Sequence, residues 1–310
     1  MHILALVCLC LFPTWTENDP CEQDSPEKMA KELGISLPPR PWHVANIWWD
    51  FEGAVPQFTS LEVDITIDRD VPEIYNLYIS PCGIAEINGL QFYGGIQSNI
   101  NGWPNKESRE RVHPGRGAIF SRWSADKKKP IGLEHVETAS PDCLVESAGY
   151  EGEFASVRRP FAWKKGTYTW SIHKGETIEH KGAKATWFIC KVKQKDGGEP
   201  FEVGSLLFEG DDFTYWPRHS AFVEVYSTSK IPKSKIPRVN VSFGTPRLNG
   251  KKASIAKVSA YYPDPARGVP GSPDCAKIRG EGDQCVVEVG EIFKRDKKER
   301  RHSIELRQAD

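Results

Sequence analysis

Apolar and polar residues alternate along much of this chain, which is the pattern of strands buried on one face. The clearest case is residues 61–67, where Leu61, Val63, Ile65 and Ile67 alternate with acidic residues and threonine. This period of two predicts a strand with one face in a core and the other in water. The other strand candidates are residues 74–79, 117–123, 167–172, 185–193, 201–208, 220–227, 239–243, 253–260 and 285–289.

Turn signals, and no long helices, separate these strand candidates. A DGG sequence at 196–198 predicts one hairpin, and an NG pair at 249–250 predicts another between residues 239–243 and 253–260. The lack of long helices between strands excludes a repeated strand–helix–strand fold. The pattern predicts an all-β protein, built as a two-sheet antiparallel sandwich of the jelly-roll or lectin-like type, with a short N-terminal helix.

The N-terminal region differs from the rest of the chain. Residues 3–12 are an unbroken apolar run, too short to span a bilayer but as long as the hydrophobic part of a signal peptide. We therefore expect residues 1–18 to be a signal peptide and the protein to be secreted, extracellular or periplasmic. Ser25, Pro26 and Gly34 predict the short helix, so residues 19–44 form a helix and a Pro-rich linker. No later stretch reaches the roughly 18 apolar residues of a transmembrane helix.

The remaining chain divides into a β-sandwich domain at residues 45–292 and a charged C-terminal tail at residues 293–310. Six cysteines follow the apolar run, and an even number in an exported protein favours disulfides. Six cysteines allow 15 pairings. Cys275 and Cys285 bracket a Gly-rich turn, so these two are the expected local pair.

Charge and motif content narrow the function classes. The net charge is −1, whereas proteins that bind nucleic acid through its backbone are strongly basic, so nucleic acid is not an expected partner. The sequence contains no nucleophile elbow, phosphate-binding loop, dinucleotide-binding motif or metal-binding pattern. We expect no cofactor and no metal, and the sequence does not indicate an oligomeric state.

Three carboxylates lie close together in sequence around a Gly-rich turn, at Glu146, Glu151 and Glu153. Paired carboxyl groups are the catalytic pattern of glycosidases, whose mechanism depends on the distance between them. If the protein is an enzyme, these residues are the catalytic candidates. The alternative is that they belong to a solvated loop.

Two tryptophans stand out among the ten in the chain because they lie in polar, turn-rich segments. These are Trp103 and Trp216. An aromatic ring can stack on the face of a sugar while nearby polar groups bind its hydroxyls. We therefore predict a ligand-binding cluster of Trp103, Trp216, Gln97, Arg122 and Glu151. The alternative for Gln97 and Arg122 is a buried polar network.

Four short motifs occur in order: FYGGIQ at 92–97, IFSRW at 119–123, EGEF at 151–154 and WKKGTY at 163–168. In this order they resemble a family of secreted bacterial proteins catalogued as a domain of unknown function, number three-four-seven-two. The resemblance covers residues 45–289. This chain departs from it by an insertion between Asn99 and His113 and by its cysteines. The resemblance implies a secreted β-sandwich and supplies no activity.

Three functions are compatible with these observations. The first is a secreted, non-catalytic β-sandwich that binds carbohydrate, such as a polysaccharide or cell-surface glycan, or another cell-surface polymer. The second is a glycoside hydrolase or lyase that uses the carboxylates near Glu146 to Glu153. The third is a structural surface protein without a small ligand. A sandwich fold is compatible with all three, so the fold alone does not decide between them.

Overall fold

A computed structural model describes residues 25–126, 129–149, 152–226, 235–267 and 270–307. The region predicted as a signal peptide, together with Glu151, lies outside the described residues. Among the described residues, no helix has both the length and the apolar character needed to cross a membrane.

Helix α1, Pro26–Leu33, begins and ends where the capping residues predict. The Ser25 hydroxyl accepts a hydrogen bond from the Lys28 backbone N–H, and Pro26 occupies the first turn. Gly34 ends the helix in the left-handed conformation, with φ of 64°. A Ser cap, an early Pro and a terminal Gly supply the groups that a short helix cannot satisfy by itself. The predicted N-terminal helix is confirmed.

Two antiparallel sheets form the rest of the molecule, which confirms the predicted sandwich. Sheet A has the strand order β19-β16-β1-β12-β3-β4-β5-β8-β7. Its strands, in chain order, are β1 Trp42–Phe51, β3 Leu77–Ile87, β4 Leu90–Gly102, β5 Val112–Trp123, β7 Leu144–Gly149, β8 Gly152–Pro160, β12 Arg218–Val225, β16 Ile255–Tyr261 and β19 Arg301–Ser303.

Sheet B has the order β17-β18-β13-β2-β9-β10-β11-β6, and the short strands β14 and β15 join it beside β2. Its strands are β2 Ser60–Ile67, β6 Val136–Thr138, β9 Gly166–His180, β10 Ala183–Gln194, β11 Phe201–Glu209, β13 Val239–Gly244, β14 Arg247–Leu248, β15 Lys251–Lys252, β17 Ala276–Glu281 and β18 Gln284–Val289. Short 3-10 helices occupy Glu73–Tyr75, Leu133–His135, Pro265–Arg267 and Lys297–Arg300.

Aromatic side chains fill the space between the two sheets. Phe120 of sheet A meets Trp170 of sheet B at 6.2 Å between ring centroids, and it stacks on Phe208 at 6.4 Å. All three rings are buried. Such rings bury a large apolar area and prefer offset or edge contacts at these separations. The core therefore lies between the sheets, and each sheet has a second, outward face.

The glycine pair of the FYGGIQ motif has a packing role in β4. A Cβ on Gly94 would lie 2.3 Å from the indole of Trp170, and a Cβ on Gly95 would lie 2.2 Å from the carbonyl oxygen of Ile79. Both distances are shorter than any real carbon contact, so a side chain at either position would push the neighbour away. Because Gly94 has no side chain, the Trp170 indole packs directly against the backbone of β4.

The predicted hairpin between residues 239–243 and 253–260 is wrong. The NG pair at 249–250 does form a tight turn, but it joins only the two-residue strands β14 and β15. Strand β13 pairs with β18 and β2 in sheet B, whereas β16 pairs with β1 in sheet A. The chain crosses from one sheet to the other between these strands.

The predicted disulfide between Cys275 and Cys285 is also wrong. Cys285 lies opposite Gly280 in the β17–β18 hairpin, whereas Cys275 precedes β17 and its carbonyl accepts from the Gly290 N–H. Five residue positions therefore separate the two cysteines along the hairpin, about 17 Å at the rise of a strand. A disulfide requires Cα atoms within roughly 7 Å.

None of the five described cysteines is paired, and all five are buried. They are Cys82, Cys143, Cys190, Cys275 and Cys285, and the sixth, Cys21, lies outside the described residues. Burial raises the pKa of Cys285 to about 12, which keeps its thiol protonated and unreactive. The expectation of disulfides therefore fails for this part of the chain.

The segment set apart above as a charged tail is joined to the sandwich. Strand β19 pairs with β16 at the edge of sheet A. The Arg307 backbone N–H donates at 2.9 Å to the Gly282 carbonyl, in the turn that joins β17 and β18 of sheet B. Residues 293–307 therefore connect the edges of both sheets, and the sandwich extends to residue 307.

Candidate functional site

The predicted ligand residues Gln97 and Arg122 lie on adjacent strands but on opposite faces of sheet A. Gln97 on β4 pairs with Gly117 on β5, five positions before Arg122. Side chains alternate between faces along a strand, so the odd spacing sends Arg122 toward sheet B. There its guanidinium is 1% exposed, pairs with Glu209 at 2.9 Å and lies 4.9 Å from the Phe208 ring. Arg122 thus belongs to a buried polar network, the alternative considered for it.

Trp103 and Trp216 lie at opposite ends of β4. Trp103 directly follows the strand, and its backbone N–H donates to Val145 at 2.9 Å. The Trp216 N–H donates to Glu86, beside the β3–β4 turn. The 13-residue strand between these ends is about 40 Å long at the usual rise. Both tryptophans are half-buried, and the structure does not bring them together.

Trp103 is better packed than its polar surroundings in the sequence indicate. It contacts the main core, and the Arg109 guanidinium lies over its ring at 4.2 Å from the centroid.

The three candidate catalytic carboxylates have different environments. Glu146 on β7 is 4% exposed and binds Arg158 at 2.6 Å and Arg111 through both of its oxygens. Burial acts to raise the pKa of Glu146, but the two guanidinium groups outweigh it and the pKa is lowered. Glu146 is therefore a charged structural anchor that does not supply a proton at neutral pH. Glu153 is half-buried on β8, and Glu151 lies outside the described residues.

A small apolar cluster, separate from the main core, marks the outward face of sheet A near its centre. It consists of Tyr78 on β3, Ile119 on β5, Phe222 on β12 and Tyr226, all less than 9% exposed, with Tyr93 packed against them. Large buried side chains on the outward face of a sheet define a second packed surface. We call this cluster, together with Gln97, the outer face of sheet A.

Gln97 and Tyr78 are direct cross-strand partners on the outer face of sheet A. Such partners have Cβ atoms about 5 Å apart. Gln97 is only 9% exposed, yet its side-chain amide forms no hydrogen bond within the described part of the chain. The Tyr78 hydroxyl is fully buried and likewise has no hydrogen bond of standard geometry. Burial raises the pKa of Tyr78 well above 10, so the hydroxyl stays neutral.

Unpartnered buried polar groups are rare in proteins because each loses its bonds to water without replacement. The Tyr78 hydroxyl is one such group. The Gln97 amide beside it keeps some contact with solvent and is the group on this face that a ligand with hydroxyl groups can reach. The backbone of Gln97 is itself held in position, since its carbonyl accepts from the Trp163 indole at 3.0 Å. The WKKGTY motif thus supports the residue that ends the FYGGIQ motif.

His43 and Glu224 form the polar border of this face on the side of β1. The His43 ring stacks on Phe222 at 4.3 Å, and its Nδ1 lies 3.1 Å from the Asn46 side-chain oxygen. Desolvation lowers the pKa of His43 to about 4, so the ring is neutral at pH 7. Its 3.9 Å approach to Glu224 is then a polar contact between a neutral ring and a carboxylate, not an ion pair.

Aromatic rings continue from this face toward the end of β5. Tyr93 and Trp123 lie 6.1 Å apart, and Trp123 meets Phe154 edge-on at 5.9 Å. Tyr93 and Trp123 are half-buried, so part of each side chain reaches solvent. Partly exposed rings beside polar groups are the combination that carbohydrate recognition requires.

Sequence reasoning identified Gln97 but missed Tyr78 and Tyr93. No sequence signal could have indicated Tyr78, because a tyrosine in a strand reads as an ordinary core residue and only the surrounding contacts leave its hydroxyl unpartnered. Glu146 lies three strands away from Gln97 in sheet A and is fixed by two arginines. No cluster of three or more metal-ligating side chains occurs among the residues that the structure describes.

No model of a known protein family matches the chain, and no curated protein matches it.

Proposed function

We propose that this chain is a secreted, non-catalytic β-sandwich that binds carbohydrate on the outer face of sheet A. The observation that carries the proposal is the Gln97 amide, 9% exposed and without a hydrogen bond among the described residues, beside the buried and unpartnered Tyr78 hydroxyl. A sugar ring offers many hydroxyl groups on a largely apolar face. It therefore suits a surface that combines unused hydrogen-bonding groups with the rings of Tyr93 and Trp123.

The enzyme alternative has less support. A general acid needs a pKa raised toward the working pH, and the pKa of Glu146 is shifted in the other direction. A carboxylate that accepts bonds from two arginines is also occupied on both oxygens. Binding without chemistry agrees with both features.

A glycan array followed by calorimetric titration of the bound glycans tests the proposal. The informative variant is Gln97→Leu, and Gln194→Leu is its control because Gln194 is exposed on sheet B, away from the site. We expect Gln97→Leu to weaken binding by about tenfold, the effect of losing one good hydrogen bond, and Gln194→Leu to bind normally.

The same preparation distinguishes the alternatives. Release of reducing ends from a bound glycan would favour the hydrolase, and absence of any bound glycan would favour a structural protein. Secretion has its own test, because mass analysis of the exported protein should find an N-terminus between residues 13 and 21.

A further inference from the structure

A concave surface lies at the edge of the sandwich formed by β17 and β19. In sheet A this edge is five strands away from β4, which carries Gln97. The surface is an open cleft of about 440 Å³, which falls within the range of small-ligand pockets. The residues lining it are Tyr262, Lys277, Ile278, Phe293, Arg295, Lys298, Glu299 and His302. We call it the C-terminal cleft.

The C-terminal cleft is built on firmly placed backbone. Its floor is edge strand β17, and its wall is residues 293–307, which bridge the two sheets. The Phe293 N–H donates to Asp274 at 3.0 Å, and the Ile304 N–H donates to Val258 at 2.9 Å. Asp274, only 6% exposed, also forms an ion pair with Arg300. The cleft is therefore an ordered part of the fold.

Positive charge is concentrated around this cleft. Residues 293–307 contain seven Lys or Arg and three Asp or Glu, whereas the whole chain has a net charge of −1. Lys277 and Lys298 line the cleft, and neither is in an ion pair within the described part of the chain. A concave surface with excess charge of one sign attracts ligands of the opposite sign.

Arg295 contributes to this positive charge. Its side chain is 4% exposed and lies over the Tyr262 ring at 3.5 Å from the centroid. Its Nε donates to Asp274 at 3.1 Å and its Nη2 to the Ala276 carbonyl. These bonds fix the planar guanidinium beneath the surface of the cleft, where it adds a positive charge of fixed position.

Apolar ring faces accompany these charges. His302 stacks with Tyr262 at 6.1 Å, and Lys277 and Arg295 lie 5.4 and 4.7 Å from the centroid of Phe293. Phe293 is half-buried and His302 is exposed, so both can be reached from solvent. Rings beside fixed cations suit a ligand whose anionic group projects from a partly apolar ring.

From these features we propose that the C-terminal cleft binds an acidic sugar residue of a polysaccharide through its carboxylate or sulfate group. The two lysines contact the anion, Arg295 adds fixed positive charge behind them, and Phe293 and His302 contact the sugar ring. Nucleic acid fits less well, because its backbone binding needs positive charge along an extended surface, and outside residues 293–307 the chain is net acidic.

Calorimetric titration of the full secreted chain tests this assignment. The probes are a galacturonate oligosaccharide, a sulfated oligosaccharide, a neutral oligosaccharide of equal length and a single-stranded DNA oligonucleotide, all at about 0.15 M salt. The site variant is Lys277→Ser combined with Lys298→Ser. Its matched control is Lys193→Ser combined with Lys251→Ser, which removes the same charge from exposed positions on other strands.

We expect at least one acidic oligosaccharide to bind, the site variant to weaken it about tenfold or more, and the control to bind normally. Which acidic probe binds distinguishes carboxylate from sulfate recognition. An equal loss in the control would overturn the assignment in favour of general charge attraction. Tight DNA binding through the same lysines would overturn the ligand class, and no binding of either acidic probe would refute the site.

This inference shares only the class of ligand with the proposed function. Gln97→Leu removes no group of the C-terminal cleft and should leave acidic-probe binding unchanged. Failure at one site therefore does not imply failure at the other.

Discussion

The substitution Tyr78→Phe tests whether the outer face of sheet A holds hydrogen-bonding capacity that the folded protein does not use. The change removes only the hydroxyl and keeps the ring, which lies edge-on to Phe222 at 5.2 Å with an interplanar angle of 88°. Most substitutions of buried residues destabilise a protein. Here we expect the opposite, because the deleted group is buried without a partner.

The magnitude follows from the desolvation of one hydroxyl group. An unsatisfied buried polar group costs about 1–3 kcal/mol, and the Ser80 hydroxyl, two residues along the strand, offsets part of this cost through a hydrogen-bonding contact outside standard geometry. We therefore expect the free energy of unfolding to rise by about 1 kcal/mol. For a chain of this size that corresponds to an increase in Tm of about 1.5–2 °C.

Urea unfolding measures the effect, with the midpoint rising and the m-value unchanged. The matched control is Tyr226→Phe, because Tyr226 lies on the same face and its hydroxyl donates to the Asn99 carbonyl. That variant should lose about 1 kcal/mol, since it leaves a carbonyl without its donor.

Binding should respond in the opposite direction. Tyr78→Phe should stabilise the free protein and should weaken a glycan whose hydroxyl displaces the neighbouring side chains and reaches the Tyr78 oxygen. A loss of about 1 kcal/mol in the unfolding of Tyr78→Phe would mean that the hydroxyl already has a partner, and the reasoning behind the site would be refuted.

Two further predictions concern the interior. Glu146→Gln should reduce the free energy of unfolding at pH 7 by about 2–3 kcal/mol, because it leaves Arg158 buried without its counter-charge, while the exposure of Arg111 limits the loss. The pKa of Glu146 in the folded protein lies below 4.5, so the stability that its ion pairs supply is complete above pH 4.5 and is lost as the pH falls through the folded pKa. The free energies of unfolding of the wild type and the variant should therefore converge in acid. A difference between them that persists in acid would contradict the ion-pair explanation. Cys275 and Cys285 should both react with an alkylating reagent when the protein is unfolded in denaturant without reductant, and both should be protected in the folded protein. A disulfide-linked peptide that contains both cysteines would show that the β17–β18 register is wrong.

Local patterns in the sequence correctly predicted the local elements. The alternation at residues 61–67 is strand β2, whose residues alternate between buried and half-buried along its length. The Ser, Pro and Gly signals around α1 correspond to its observed ends. Both kinds of prediction succeed because side-chain period and capping depend on residues only a few positions apart.

Long-range pairing decided the features that sequence reasoning missed. Gln97 and Arg122 both have polar side chains that could bind a ligand, and they lie on adjacent strands. The β4–β5 register nevertheless directs them to opposite faces of sheet A. The hairpin register separates Cys275 from Cys285, and β13 and β16 join different sheets although an NG turn lies between them.

The candidate site depends most strongly on tertiary structure. The sequence marks Gln97 as a polar residue at the end of the FYGGIQ motif, but it does not show that Tyr78, 19 positions earlier, is its neighbour across β3 and β4. Whether a buried hydroxyl or amide has a partner depends on every element packed around it. Strand periodicity is a property of the local chain, whereas register and hydrogen-bond satisfaction belong to the assembled sheets, and that difference separates what could be predicted from what could not.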